Sequence, residues 1–218
     1  MTAADLRFAL PARLVTVGPS GSGKTYFCRQ LLENAEQVFN PVPAHVFFFF
    51  KAHQPMYTEM QQRYPGWITF IEGLPTESHI EEAKKTPEID KLYIIDDFTT
   101  ELTPLILTLF QIYSHHFKIS VVLLLHQLFS KDPLLRALSL SATHFCLKRN
   151  VRDQTSMNVF AAQFAGAKKK SFLAVYEKVC SEPFATLYVN MTPTCPDQLR
   201  VYSHLFKNER PARVYVLK

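Results

Sequence analysis

The eight residues Gly18-Pro19-Ser20-Gly21-Ser22-Gly23-Lys24-Thr25 match the pattern G-x-x-x-x-G-K-[ST] at every fixed position. They follow a short β-branched run, 13–17, and precede a stretch of good helix formers, 26–35. Strand, glycine loop and helix in that order curl backbone N–H groups around an anion and aim the positive end of a helix at it. A Cβ would obstruct that approach, and three of the chain's six glycines stand inside these eight positions. The chain is thereby constrained to an α/β fold with its phosphate site at the carboxyl edge of a sheet. Lys24 is expected at the β and γ phosphates of ATP and Thr25 on Mg²⁺, and Tyr26, directly beyond the loop, is assigned with Gly18–Thr25 to nucleotide binding.

The rest of the chain supplies such a sheet. Further apolar runs at 45–50, 68–71, 92–95, 119–125, 143–147 and 185–189 read as strands. They are mostly continuous rather than alternating, as strands buried on both faces should be. Helical stretches at 55–63, 77–85, 102–115, 132–138, 153–164 and 171–180 separate them. The expected architecture is a P-loop NTPase with a mainly parallel sheet covered by helices on both faces. The segment 73–91 is the most polar and acidic and is expected to be a surface excursion. Residues 1–192 are assigned to the nucleotide-binding core and 193–218, with a strand-like 212–217, to a C-terminal arm or edge strand of the same domain.

Composition narrows the class. With 47% apolar residues, 18 Phe and 9 Tyr, the chain has ample surface to bury, which excludes disorder as its main state. The densest apolar runs, 46–50 and 121–125, are far too short to span a bilayer. Residues 1–12 carry Asp5 and Arg7 within their only apolar stretch, so no signal-peptide core is expected and the protein reads as intracellular. Cys28, Cys146, Cys180 and Cys195 lack paired C-x-x-C spacing and read as small core residues. Residues 1–101 hold 9 Lys and Arg against 13 Asp and Glu, a net −4, whereas 102–218 hold 15 against 6, a net +9. A basic second half is the footprint of a polyanion surface.

A phosphate loop needs a carboxylate for its metal. Leu92-Tyr93-Ile94-Ile95-Asp96-Asp97 is an apolar strand that ends in two. Asp96 is assigned to Mg²⁺ and Asp97 to the base that polarises an attacking water. The strand at 119–125 ends in His126-Gln127, where motor ATPases place a sensor of the γ-phosphate. Runs 45–50 and 68–71 intervene between the loop and the Asp96 strand, an order that suits ATPases with an additional strand. A small nucleotide kinase would carry an Arg-rich lid, and no convincing lid is present. A non-enzymatic nucleotide-binding assembly factor is the third reading.

With these elements in place the chain resembles the FtsK/HerA-type viral genome-packaging ATPases, in the compact form of polintons and adintoviruses, with poxvirus packaging ATPases as distant relatives. The resemblance rests on Thr25-Tyr26-Phe27, Ile94-Ile95-Asp96-Asp97-Phe98, Ser114-His115-His116, Leu128-Phe129, Leu138-Ser139-Leu140 and Asn150-Val151-Arg152-Asp153. Relatives usually carry Gln-Asn where this chain has His126-Gln127, and Lys-Asn-Pro-Arg-Asp where it has Arg149-Asn150-Val151-Arg152-Asp153. The resemblance implies an ATP- and Mg²⁺-dependent, DNA-translocating subunit of a homo-oligomeric ring. It implies double-stranded DNA and capsid or portal-vertex proteins as partners, in the host cell or on the virion. Ring ATPases supply a cation across the subunit boundary, for which Arg152 is the first candidate and Arg149 the second. Lys148, Lys168, Lys169 and Lys170 are candidates for gripping the DNA backbone, and His115 and His116 are assigned structural places.

Overall fold

Strands that are apolar along their whole length must be covered on both faces, and the order of elements shows how the chain does this. The computed structural model describes residues 5–128, 132–206 and 211–218. Its first part runs β1 (Phe8–Ala9), β2 (Arg13–Val17), α1 (Lys24–Glu33), α2 (Ala35–Val38), β3 (Phe39–Asn40), β4 (His45–Phe50) and α3 (Pro55–Arg63). The middle comprises β5 (Ile68–Glu72), α4 (Glu77–Lys84), β6 (Lys91–Asp96), α5 (Pro104–Thr108), a π-helical turn at Leu109–Tyr113, α6 (Ser114–His116) and β7 (Ile119–Leu125). Then follow α7 (Pro133–Ser141), β8 (His144–Leu147), α8 (Gln154–Ala165), a 3-10 turn at Gly166–Lys168, α9 (Lys169–Cys180), β9 (Leu187–Asn190), β10 (Val201–Ser203) and β11 (Arg213–Val214). Phe129 lies outside the described residues.

Among the described residues the main sheet has the order β11-β10-β9-β8-β2-β7-β6-β4-β5. The six strands from β8 to β5 are parallel, and β9, β10 and β11 add an antiparallel flank. Pairing of Val17 with Leu125 and Leu147, and of Phe50 with Asp96, brings the carboxyl ends of β2, β7, β8, β4 and β6 to one edge. An additional strand does separate the phosphate-loop strand from the Asp96 strand, but it is β7. The intervening runs in sequence, β4 and β5, lie on the far side of β6.

Alternate residues of each strand feed two cores. Val15, Val17, Phe49, Val121 and Leu123 face one layer with Ile80, Phe110, Leu135, Phe160 and Phe172. Leu14, Phe48, Val122 and Leu124 face the other with Phe27, Leu31, Val38, Tyr57 and Met60. Helix α4 corrects the expectation for 73–91: its Ile80 and Ala83 are buried, so part of this acidic segment is packed. The helix expected at 102–115 begins instead at Pro104, whose fixed φ and missing N–H suit a first helical position. Residues 193–218 contribute β10 and the two-residue β11 at the edge of the sheet. Cys28, Cys146 and Cys180 are buried, Cys195 is partly buried, and all four are free thiols. No helix of the described residues is long and apolar enough to cross a membrane.

One buried titratable group gives the fold a pH dependence. His144 is 2% exposed, edge-on to Phe8 at 5.0 Å between ring centroids, and burial pushes its imidazole down to about 4. The unfolded chain therefore binds the extra proton between roughly pH 6.5 and 4, and stability falls as pH is lowered through that window. Urea unfolding at pH 7.5 and pH 5 is expected to show a loss of about 2 kcal/mol, greatly reduced in His144→Gln. Equal slopes in both proteins would place the pH dependence elsewhere.

Candidate active site

The glycine loop leaves β2 at the carboxyl edge and ends where α1 begins. Gly21 and Gly23 adopt left-handed φ values of 77° and 81°, open to glycine without the cost a side chain imposes. At Gly18 a Cβ would stand 2.5 Å from Ser22 Oγ and 2.6 Å from Lys148 Cβ, so the turn closes only on glycine. Gly18 N donates to Leu125 O at 3.1 Å, tying the loop to β7. Ser22 Oγ is buried without a hydrogen-bond partner among the described residues.

Lys24, on the first turn of α1, is 8% exposed. Its ammonium donates to Gly18 O at 2.6 Å and Pro19 O at 3.1 Å, and stands 3.3 Å from His126 Nδ1. Burial lowers its pKa, and the charges of Asp96 and Asp97 oppose that shift. An ammonium can only donate, so Nδ1 is the acceptor and the imidazole proton sits on Nε2. That nitrogen lies 2.8 Å from Asp97 Oδ1, to which it donates. Lys24, His126 and Asp97 thus form one chain of hydrogen bonds across the loop, β7 and β6. Of the pair expected after β7, it is His126 that enters this chain, while Gln127 is exposed.

Asp96 and Asp97 diverge at the end of β6. Asp96 is 4% exposed; Thr25 Oγ1 donates to its Oδ2 at 2.8 Å and Tyr57 Oη at 3.1 Å. Burial raises its pKa, and these two donors pull it back by favouring the carboxylate. Asp97 turns outward with a left-handed φ of 69°, a conformation that costs a non-glycine residue on the order of 1 kcal/mol. Lys51, from the end of β4, pairs with Glu101 and so ties down the turn that follows Asp97.

Tyr57 joins the site without being among the residues the sequence singles out. It is 1% exposed, stacks on Phe70 and tilts against Phe48 and Phe50, which hold its hydroxyl at Asp96. The aromatic run Phe47–Phe50 followed by a helix with Tyr57 on its first turn was the available signal, but nothing in linear sequence places that hydroxyl beside Asp96.

The basic candidates separate. Arg149 and Arg152 are exposed on the loop that leaves β8 at the phosphate edge. Asn150 Oδ1 accepts from the N–H groups of Arg152 and Asp153, and Asp153 caps α8 by accepting from Ser156 N at 2.9 Å. Lys148 departs from expectation: it is 3% exposed, and its ammonium donates to Phe184 O at 2.8 Å and lies over the Phe27 ring. Held inside the fold, it is not available to a DNA backbone. Lys168, Lys169 and Lys170 sit at the turn from α8 to α9, where Lys168 lines a cavity shared with Met191, whose N–H bonds Thr143 O just before β8. They therefore occupy the edge opposite the phosphate loop. His115 and His116 are exposed at the end of α6.

The residues fit a magnesium nucleotide. A glycine cradle a Cβ would fill, an orphaned Ser22 hydroxyl, a desolvated ammonium and a hydroxyl paired with a buried carboxylate make the donor set that triphosphate oxygens and a hard cation require.

A family profile described as poxvirus A32 protein matches residues 4–192. Among solved structures, the DNA-packaging ATPase B204 from Sulfolobus turreted icosahedral virus is similar at 10% identity with a TM-score of 0.56, over 84% of this chain and 93% of that one. The genome-packaging NTPase B204 from Sulfolobus turreted icosahedral virus 2, in complex with ATP-γS, is similar at 14% identity with a TM-score of 0.55, over 83% and 93%. The cytoplasmic domain of the Thermomonospora curvata type VII secretion ATPase EccC matches at 12% identity with a TM-score of 0.57, over 85% of this chain and 24% of that one. At these identities the likeness is one of fold. No curated protein matches. The profile spans most of the chain, as the resemblance read from its motifs leads one to expect, and the chain belongs to the poxvirus A32 protein family.

Proposed function

We propose that this chain is the ATP-hydrolysing, DNA-translocating subunit of a viral genome-packaging motor, acting as a homo-oligomer on double-stranded DNA at a capsid or portal vertex. The observation that carries the reading is the convergence at one sheet edge of the Gly18–Thr25 loop, the Thr25–Asp96 pair and the Lys24–His126–Asp97 chain. Family membership and the fold of B204, a packaging ATPase, support it. The division into a core, 1–192, and a C-terminal edge, 193–218, belongs to the same reading.

In this mechanism the loop N–H groups and Lys24 bind the phosphates, and Thr25 and Asp96 hold the metal. Bound Mg²⁺ supplies Lewis-acid charge to the phosphate oxygens. Asp97 accepts a proton from the attacking water at a carboxylate oxygen. His126 donates through Nε2 to Asp97 and faces Lys24 through Nδ1, which orients the base relative to the phosphate-binding ammonium. Tyr57 donates to Asp96, which favours its carboxylate form and fixes its position.

ATP hydrolysis by the full chain, measured with and without double-stranded DNA, tests the reading, with stimulation by DNA as the expected result. Phosphate transfer to a nucleotide acceptor without DNA stimulation would identify a kinase instead, and ATP binding without turnover an assembly factor. Tyr57→Phe keeps the aromatic packing but removes one donor from Asp96. It is expected to raise the Mg²⁺ concentration for half-maximal hydrolysis about fivefold or more. The acid limb of the pH profile should also move upward, because a donor that lowers the Asp96 pKa is gone. An unchanged magnesium titration and pH profile would remove Tyr57 from the site.

A further inference from the structure

The direction of the phosphate chain is set by the carboxylates. Asp96, Asp97 and His126 all lie on the β7 and β6 side of β2, so the γ end of a bound triphosphate faces that way. The nucleoside end must leave the loop on the other side, toward β8, β9 and β10. A cavity of ≈ 360 Å³ opens there, lined by Tyr26, Gln30, Phe184, Thr186, Ser203 and His204 among others, a size in the range of small-ligand sites. The geometry points to this cavity as the nucleoside subsite, with the Tyr26 and Phe184 rings as the stacking surface for the base. The inference rests on the reading of Gly18–Thr25 as a triphosphate site.

Four observations carry it. Tyr26 is 52% and Phe184 65% exposed, unusual for large aromatics in a chain that buries most of its rings. Both are adjacent to the loop: Tyr26 lies on the first turn of α1, and the Phe184 ring would stand 2.9 Å from a Cβ at Gly23. Phe184 adopts a left-handed conformation at φ 61°, and its carbonyl accepts a hydrogen bond from the buried Lys148 ammonium at 2.8 Å. Polar groups suited to base edges and ribose hydroxyls share the cavity, namely the Gln30 carboxamide one turn from Tyr26, the Thr186 hydroxyl, and His204, whose Nδ1 is 2.7 Å from Ser203 Oγ. This assignment also gives Lys148 its place: it anchors the stacking residue from beneath.

Titration calorimetry of the full chain with Mg·ATP and with Mg·tripolyphosphate, which has the phosphates but no nucleoside, tests the subsite. Phe184→Ala and Tyr26→Ala are each expected to weaken Mg·ATP binding about tenfold while changing tripolyphosphate binding by less than about twofold, the loss expected of a base–aromatic stack. Phe184→Tyr, which keeps a ring, should bind both ligands like the parent. Unchanged ATP affinity in both alanine variants would overturn the subsite, as would equal losses for ATP and tripolyphosphate, which would make the rings supports of the loop. A parent protein that binds neither ligand would instead remove the phosphate site on which the subsite rests.

Discussion

Lys24→Ala is expected to lower ATP hydrolysis by about a thousandfold or more and to weaken Mg·ATP binding, while leaving the protein at least as stable as the parent. The first half follows from the position of the ammonium, buried and aimed into the loop between Gly18 O and Pro19 O with His126 behind it. Lys148, which also packs against the loop at Gly18, has its ammonium on Phe184 O instead. The second half follows from the sign of its pKa shift. Desolvation lowers the Lys24 pKa below that of the unfolded chain, so the unfolded chain holds this proton more tightly and the charge opposes folding at neutral pH. Removing it relieves that cost. A purely structural lysine would behave in the opposite way, with stability falling together with activity. Thermal unfolding and hydrolysis measured on the same preparation separate the two, and unchanged turnover would overturn the assignment of the phosphate loop.

The parts of this molecule that are legible in the sequence are those in which function and fold place the same demand on neighbouring residues. The phosphate loop is contiguous, so its glycines, Lys24 and Thr25 declare themselves together. Strands β2, β4, β6 and β7 read correctly because each is apolar on both faces, which only a covered sheet explains. What depends on strand order does not read locally: β7 inserts between β2 and β6 although it follows both in sequence, and nothing in the chain before residue 119 announces it. The short β10 and the two-residue β1 and β3 carry too few residues for a periodic signal, whereas β11 falls inside the strand-like 212–217. Tyr57 escaped because its contact with Asp96 spans 39 residues. Lys148 misled for a simpler reason. A lysine beside an arginine after a strand resembles a basic surface, and only the fold shows that its ammonium turns inward to the Phe184 carbonyl.

Arg152→Ala is expected to reduce hydrolysis by about a thousandfold in the assembled protein while leaving the nucleotide affinity of the isolated subunit unchanged. The loop that carries it emerges from β8 at the phosphate edge and is shaped by Asn150 and by the Asp153 cap, and the guanidinium is exposed. None of the ion pairs among the described residues includes it. Its own subunit's loop already has Lys24, whereas a neighbour packed against this edge would receive a fixed cation at its γ-phosphate, the place where transferring charge develops. In the proposed mechanism Asp97→Asn gives the complementary defect, because it would remove the water base but leave Asp96 and Thr25 for the metal. Each variant alone should be inactive. Mixed, an Asp97→Asn subunit offers an intact Arg152 to a neighbour whose base is intact, so hydrolysis should reappear at those shared boundaries. The recovered fraction should rise and fall with the mixing ratio and peak near equal proportions, a dependence that no defect confined to one subunit can produce. Mixed assemblies verified by light scattering that stay inactive at every ratio would show that Arg152 does not act across a boundary.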